Sequence, residues 1–357
     1  MEVQDNMSNN KYVAYVSSYT KNAKSKGQGI HIYDMDVEAG HITERGSVTI
    51  NNSSYVLLSP DEKYLYSICD EGVTSFNILA DGNLEKINTA SINGMRGCHL
   101  STTKDNSYLF VSGYHDGKIT ILRLNHDGSI GAITDEAFHS GLGSVAERNF
   151  RPHISCSVLT PDEEILCVCD PGIDQIKLYE FHKLTGTLKL SDILRVPLES
   201  APRQIMFSHD GRFAYVLCEL KNRINAYSYN KNAKERFEFI QNIFTVRKDH
   251  QQNTAAASMR FSINGNHVFC TNAGDDTLTI YNVDKKTGLL TMNSSLPVSG
   301  EYPKDVCIFP DCDHVISVNQ DSNSLTTFAI NYQKGLIIMN SKEHKIIQPN
   351  NMIIKKL

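Results

Sequence analysis

A short turn followed by an apolar strand recurs along this 357-residue chain at a nearly regular interval. The copies read SPDEKYLYSI from 59, TKDNSYLFVS from 103, TPDEEILCVC from 160, SHDGRFAYVL from 208, SINGNHVFCT from 262 and FPDCDHVISV from 309. Ser, Thr, Pro, Asp and Asn favour the turn, and the Tyr, Phe, Val, Ile and Leu behind it favour a strand. A second strand signal follows each turn, with its aligned aromatic or leucine at Tyr33, Phe76, Leu122, Tyr179, Tyr227, Tyr281 and Phe328. These markers lie 43 to 57 residues apart, and a tight turn such as DGNLE, DGSIG or TGTLK leads on to another strand. Four short strands per unit, repeated seven times, predict an all-β, seven-bladed β-propeller.

The first unit lacks its opening strand. KYVAYVSSYT (11–20) reads as the second strand of a blade, and QPNNMIIKKL (348–357) reads as a first strand without a partner. Pairing the two closes the ring and removes a free sheet edge. The propeller is therefore expected to span 11–357 behind a polar N-terminal tail at 1–10.

The formal net charge of −5 argues against a nucleic-acid partner, because phosphate backbones are bound by basic surfaces. No stretch reaches the roughly 20 apolar residues that span a bilayer, and residues 1–10 lack the apolar core of a secretory signal. Nine cysteines occur without a C-x-x-C pair, several inside apolar strands, so they read as free thiols in a reducing, cytoplasmic compartment.

The repeat also predicts a site. Counted from the turn Asp or Asn, the first strand begins about seven residues earlier and the second ends about nine residues later. Antiparallel pairing puts both positions at one edge of the sheet, around one mouth of the central channel. The first set is Ser54, Cys98, Ser155, Arg203, Ala257 and Lys304; the second is Asp70, Tyr114, Pro171, Glu219, Ala273 and Gln320. His99, His115, Arg151, His153, Ser258, Asn272 and Asn319 stand close by. Cations, carboxylates, imidazoles and amides thus gather at this mouth, whereas the opposite end carries mainly Asp, Gly and Lys turns. Polar residues at strand ends also meet solvent as a matter of course, and Arg203 with Glu219 can be a simple cross-strand pair. Asp70, Glu219, His99 and His153 lack metal-ligand spacing, and no G-x-S-x-G elbow marks a serine nucleophile, so neither a metal site nor a serine triad is expected.

The segments GCHLSTTKDNSYLFVSGY (97–114), APRQIMFSHDGRFAYVLCEL (201–220), NTAAASMRFSINGNHVFCTNAGDD (253–276) and YPKDVCIFPDCDHVISVNQDSNSL (302–325) resemble the bacterial propeller lactonases. These are of the 6-phosphogluconolactonase type and related to carboxymuconate lactonising enzymes. The resemblance implies cofactor-free hydrolysis of a small, possibly phosphorylated sugar lactone. It also implies that one arginine and the glutamate of the family's proposed centre correspond to Arg203 and Glu219. The family's histidine position is Ser155 here, with His153 two residues before it. Its second arginine position is Ala273, and an acidic position is Ser258. The expected catalytic set is therefore Arg203, Glu219 and His153. His99, Tyr114, Arg151, Ser155, Asn272, Lys304 and Gln320 are the expected substrate-binding set. The replaced positions keep two alternatives open, a non-catalytic binding propeller and a muconate-type cycloisomerase.

Overall fold

The computed structural model describes residues 11–20, 29–143, 151–247, 253–340 and 344–357. The expected tail at 1–10 lies outside them. Seven antiparallel sheets follow one another around the ring. Blade I combines Pro349–Lys356 with Tyr12–Ser18, Gly29–Asp36 and His41–Thr49. Blades II to VII begin with the inner strands Val56–Leu58, His99–Thr102, Cys156–Leu159, Pro202–Phe207, Ala255–Phe261 and Pro303–Ile308. In blade VII a two-residue strand, His344–Lys345, also pairs with the third strand. Ring closure occurs as the sequence predicts: Tyr12 faces Lys356 and Ser17 faces Asn351 in an antiparallel ladder.

The recurring turn owes its regularity to one small network. Ser59 Oγ–H donates to Asp61 Oδ1 (2.7 Å), and that oxygen accepts the Lys63 N–H (3.3 Å). Thr160–Asp162–Glu164, Ser208–Asp210–Arg212 and Ser262–Asn264–Asn266 repeat the arrangement. Slight burial works against ionisation of Asp61 and Asp210, but hydroxyl and amide donors outweigh it and lower both pKa values. The residue after the turn Asp or Asn lies in the left-handed region in all six copies, with φ from 54° to 72°.

The core consists of seven interfaces between neighbouring blades. Val13, Tyr15, Ile30 and Ile32 pack on Val56, Leu65 and Phe76 of blade II, while Ala14, Val16 and Tyr33 pack on Phe309, Ile316 and Val318 of blade VII. Both faces of each central strand are thereby buried, which explains continuous apolar runs where half-buried strands would alternate. Amide side chains staple adjacent blades. Gln204 exchanges two hydrogen bonds with the Met259 backbone, each 2.9 Å. Asn351 accepts from Val56 N–H (2.8 Å) and donates to Val56 C=O (3.2 Å).

Candidate active site

One cavity of about 880 Å³ opens into the channel, a volume suited to a small ligand. All six inner-strand positions derived from the repeat line it, and Asn350 fills the seventh place from blade I. Four of these seven share a backbone device. Arg203, Ala257, Lys304 and Asn350 are each the extra residue of a β-bulge, because the strand register shifts across them. A bulge re-aims its side chain. In three cases the chain arrives through a left-handed residue and a proline: Ala201–Pro202, Tyr302–Pro303 and Gln348–Pro349, with φ of 51°, 54° and 41°. Such backbone is costly for residues other than glycine, and strain of this kind clusters where a side chain must be presented in a fixed direction.

Arg203 is held on two sides. Its Nε–H donates to Ala257 C=O (2.6 Å), and its Nη1 meets Glu219 Oε2 at 2.8 Å. Burial disfavours the charge, but the Glu219 carboxylate outweighs it and raises the Arg203 pKa. Ser155, at the family's histidine position, donates its hydroxyl to Arg203 C=O (2.6 Å) and so ties blade IV to blade V.

His153 is fixed from both its backbone and its ring. Its N–H donates to Asp170 Oδ1 (2.8 Å), while Asp170 Oδ2 receives Nδ1 of the buried His139 (2.7 Å). The His153 ring stacks on Tyr114 at 4.4 Å and 15°, and its Nδ1 lies 2.8 Å from Tyr114 C=O. A carbonyl only accepts, so Nδ1 carries the proton and Nε2 carries the lone pair of the neutral ring.

The remaining expected residues divide. Tyr114, Arg151 and Lys304 line the cavity. His99 also lines it, but its nitrogens are turned toward blade IV: Nδ1 is 3.5 Å from Ser157 N–H and Nε2 is 3.7 Å from Cys156 Sγ. Gln320 does not line the cavity; its amide donates to Asn350 Oδ1 (2.8 Å) and orients that residue. Asn272 corrects the sequence expectation. It is fully buried inside blade VI, where it donates to Thr245 C=O (2.8 Å), Thr277 and Thr279. Strand alternation turns it away from the mouth that its neighbour Ala273 approaches.

Three features of the mouth escape the repeat alignment. Arg96 lies two residues before Cys98, pairs with Asp70 (2.9 Å) and stands 4.7 Å from the centroid of the Tyr19 ring. It brings a further arginine to the mouth, on a different blade from Ala273. Tyr19 directly follows the second strand of blade I, so extending the alignment to that incomplete unit would have found it. Deeper in, Arg260 and Asp305 form a two-point ion pair at 3.0 and 2.6 Å. Ser258 adds its hydroxyl to the same carboxylate at 2.7 Å. Asp70 and Glu219 are thus both committed to arginines, and no group of three metal-ligating side chains forms among the described residues.

The fold is a seven-bladed propeller with one polar-lined cavity, and the family model for the seven-bladed β-propeller lactonases matches residues 13–354. The chain belongs to that family, a class of lactone hydrolases. It is 30% identical over 306 residues to the 6-phosphogluconolactonase of Bacillus subtilis, covering 84% of this chain and 86% of the relative. A 6-phosphogluconolactonase of Formosa agariphila is 27% identical over 309 residues, 83% of this chain and 86% of its own length. Among solved structures, the periplasmic gluconolactonase of Pseudomonas aeruginosa superposes with a TM-score of 0.88 at 24% identity, covering 96% and 99% of the two chains. A Lactobacillus plantarum protein gives 0.87 at 26% identity, covering 97% and 99%.

Proposed function

We propose that the chain hydrolyses a six-membered sugar lactone at this mouth, with 6-phosphogluconolactone as the leading candidate. The observation that carries the reading is the pairing of a base of defined tautomer, His153, with a half-buried and doubly anchored cation, Arg203, in one cavity. Ester hydrolysis needs both: a base to take a proton from water, and positive charge where the carbonyl oxygen becomes an oxyanion. His153 Nε2 serves as the base. Arg203 serves as the oxyanion partner, and Glu219 acts through it by fixing the guanidinium. Arg96 and Arg151 supply further positive charge for a phosphate.

Proton release followed at constant pH, over a panel of phosphorylated and plain sugar lactones, tests this reading against spontaneous hydrolysis. The expected result is acceleration that favours the phosphorylated lactone, with kcat lowered roughly 10²–10⁴-fold in His153→Gln. Ligand binding without acceleration of any lactone would instead mark a non-catalytic propeller.

A further inference from the structure

Lys304 is bonded differently from three of the arginines at this mouth. Arg203, Arg96 and Arg260 each hold a carboxylate, respectively Glu219, Asp70 and Asp305. Lys304 holds none: its Nζ donates to the amide oxygen of Asn350 (2.7 Å) and stands 5.1 Å from the Tyr19 ring centroid. Its placement is nonetheless built with care. The left-handed Tyr302, Pro303 and the bulge aim the side chain into the cavity, and Gln320 holds the Asn350 oxygen that receives it. An ammonium has three protons, so one bond to Asn350 leaves two for other acceptors.

We infer that Lys304 is the proton donor of the reaction, delivering a proton from its ammonium group to the ring oxygen that leaves the acyl carbon. This inference rests on the hydrolase reading above. In the first step the water oxygen bonds to the acyl carbon, its proton passes to His153 Nε2, and the carbonyl electron pair moves onto the oxygen beside Arg203. When the oxyanion collapses, the bond from acyl carbon to ring oxygen breaks. Its electron pair stays on the ring oxygen, which takes a proton from Lys304. The new carboxylic acid then reprotonates the amine, and His153 returns its proton to solvent. The sum is lactone plus water giving hydroxycarboxylate plus one proton.

The surroundings suit a group that must give up a proton near neutrality. Burial, followed by the charges of Arg203 and Arg96, pushes the Lys304 pKa down to about 7, against opposing contributions from Cys98 and Asp321. The cavity that Lys304 enters is also lined by the titratable side chains of Tyr19, Tyr302, Glu219, Asp305, His99 and His153. A donor whose pKa lies near the working pH is the most effective.

The test combines kinetics with a direct titration. Lys304→Arg keeps the charge but replaces a group that deprotonates readily by one that does not. KM is expected within threefold of wild type, kcat at least 100-fold lower, and the fall of activity above pH 7 abolished; Lys304→Gln should lose as much kcat. Nuclear magnetic resonance of lysine Nζ-labelled wild-type protein should show one lysine, absent from Lys304→Arg, titrating near pH 7. Titration of that lysine above pH 9 overturns the inference whatever the hydrolysis assays give. So does a Lys304→Arg enzyme within threefold of wild-type kcat with an unchanged pH profile. A wild-type chain that hydrolyses no lactone, yet shows the lysine titrating near 7, overturns the hydrolase reading and the donor role with it.

Discussion

Replacing Asn351 by alanine tests how the ring is held shut. Asn351 lies on the C-terminal strand that completes blade I, and it contacts both its own blade and the next. Its Oδ1 accepts from Val56 N–H (2.8 Å) and Ser17 Oγ–H (2.8 Å), and its amide donates to Val56 C=O (3.2 Å). Val56 is 1% exposed, so alanine leaves two buried backbone groups without these partners and without easy access to water. Each such group costs about 1–3 kcal/mol, and partial relaxation brings the expected loss to about 2–4 kcal/mol. The unfolding entropy of a chain this long converts that to a fall in Tm of roughly 3–5 °C. Gln204→Ala removes an equivalent pair of hydrogen bonds to Met259 between blades V and VI and should cost a similar amount. Asn88 makes the same pair of bonds to Ile130 between outer strands, and these bonds are only partly buried because Asn88 itself is half-buried, so Asn88→Ala should cost less than Asn351→Ala. Calorimetry of the three variants gives the ranking. An Asn351→Ala protein within about 0.5 kcal/mol of wild type, or one more stable than Asn88→Ala, would refute the stapling argument.

Two further perturbations act on the mouth. Glu219→Gln keeps a hydrogen-bond acceptor beside Arg203 but removes the neutralising charge. It should lower kcat/KM by about tenfold or more and stability by about 1–3 kcal/mol, read from steady-state kinetics and thermal unfolding. Lys304→Met should change stability in a pH-dependent way. The folded pKa of about 7 lies below the ordinary lysine value of 10.5. The native state therefore binds fewer protons, and wild-type stability rises between about pH 7 and 10.5. The penalty is fully present below pH 7, so Lys304→Met should gain on the order of 2–4 kcal/mol at pH 6.5 and little at pH 10. An equal change in Tm at both pH values would contradict this.

The fold was legible because its determinants are local and repeated. The Ser/Thr–Asp turn, the apolar central strand and the missing first strand of blade I are all visible as text, and each dictates a hydrogen-bond pattern or a buried face. The site was legible only to the level of strand ends. Arg203, Glu219, Tyr114 and His153 emerged because the repeat carries them to one mouth. Asn272 was misassigned because a residue one position short of the strand end points to the opposite face. The bulges at Arg203, Lys304 and Asn350 were missed because an inserted residue leaves no break in composition, although the shared Pro202, Pro303 and Pro349 were a signal. Arg96 was missed because it precedes the inner strand, where alignment by strand has no register.

The central claim is that Arg203 stabilises the charge that develops when a lactone opens. It is tested most directly by the rate of proton release from 6-phosphogluconolactone, above the spontaneous rate, for wild type and Arg203→Ala. The account predicts clear acceleration by wild type and a kcat about 10²–10³-fold lower in the variant, with circular dichroism unchanged. A wild-type rate equal to that of buffer, or an Arg203→Ala enzyme as fast as wild type, would contradict it.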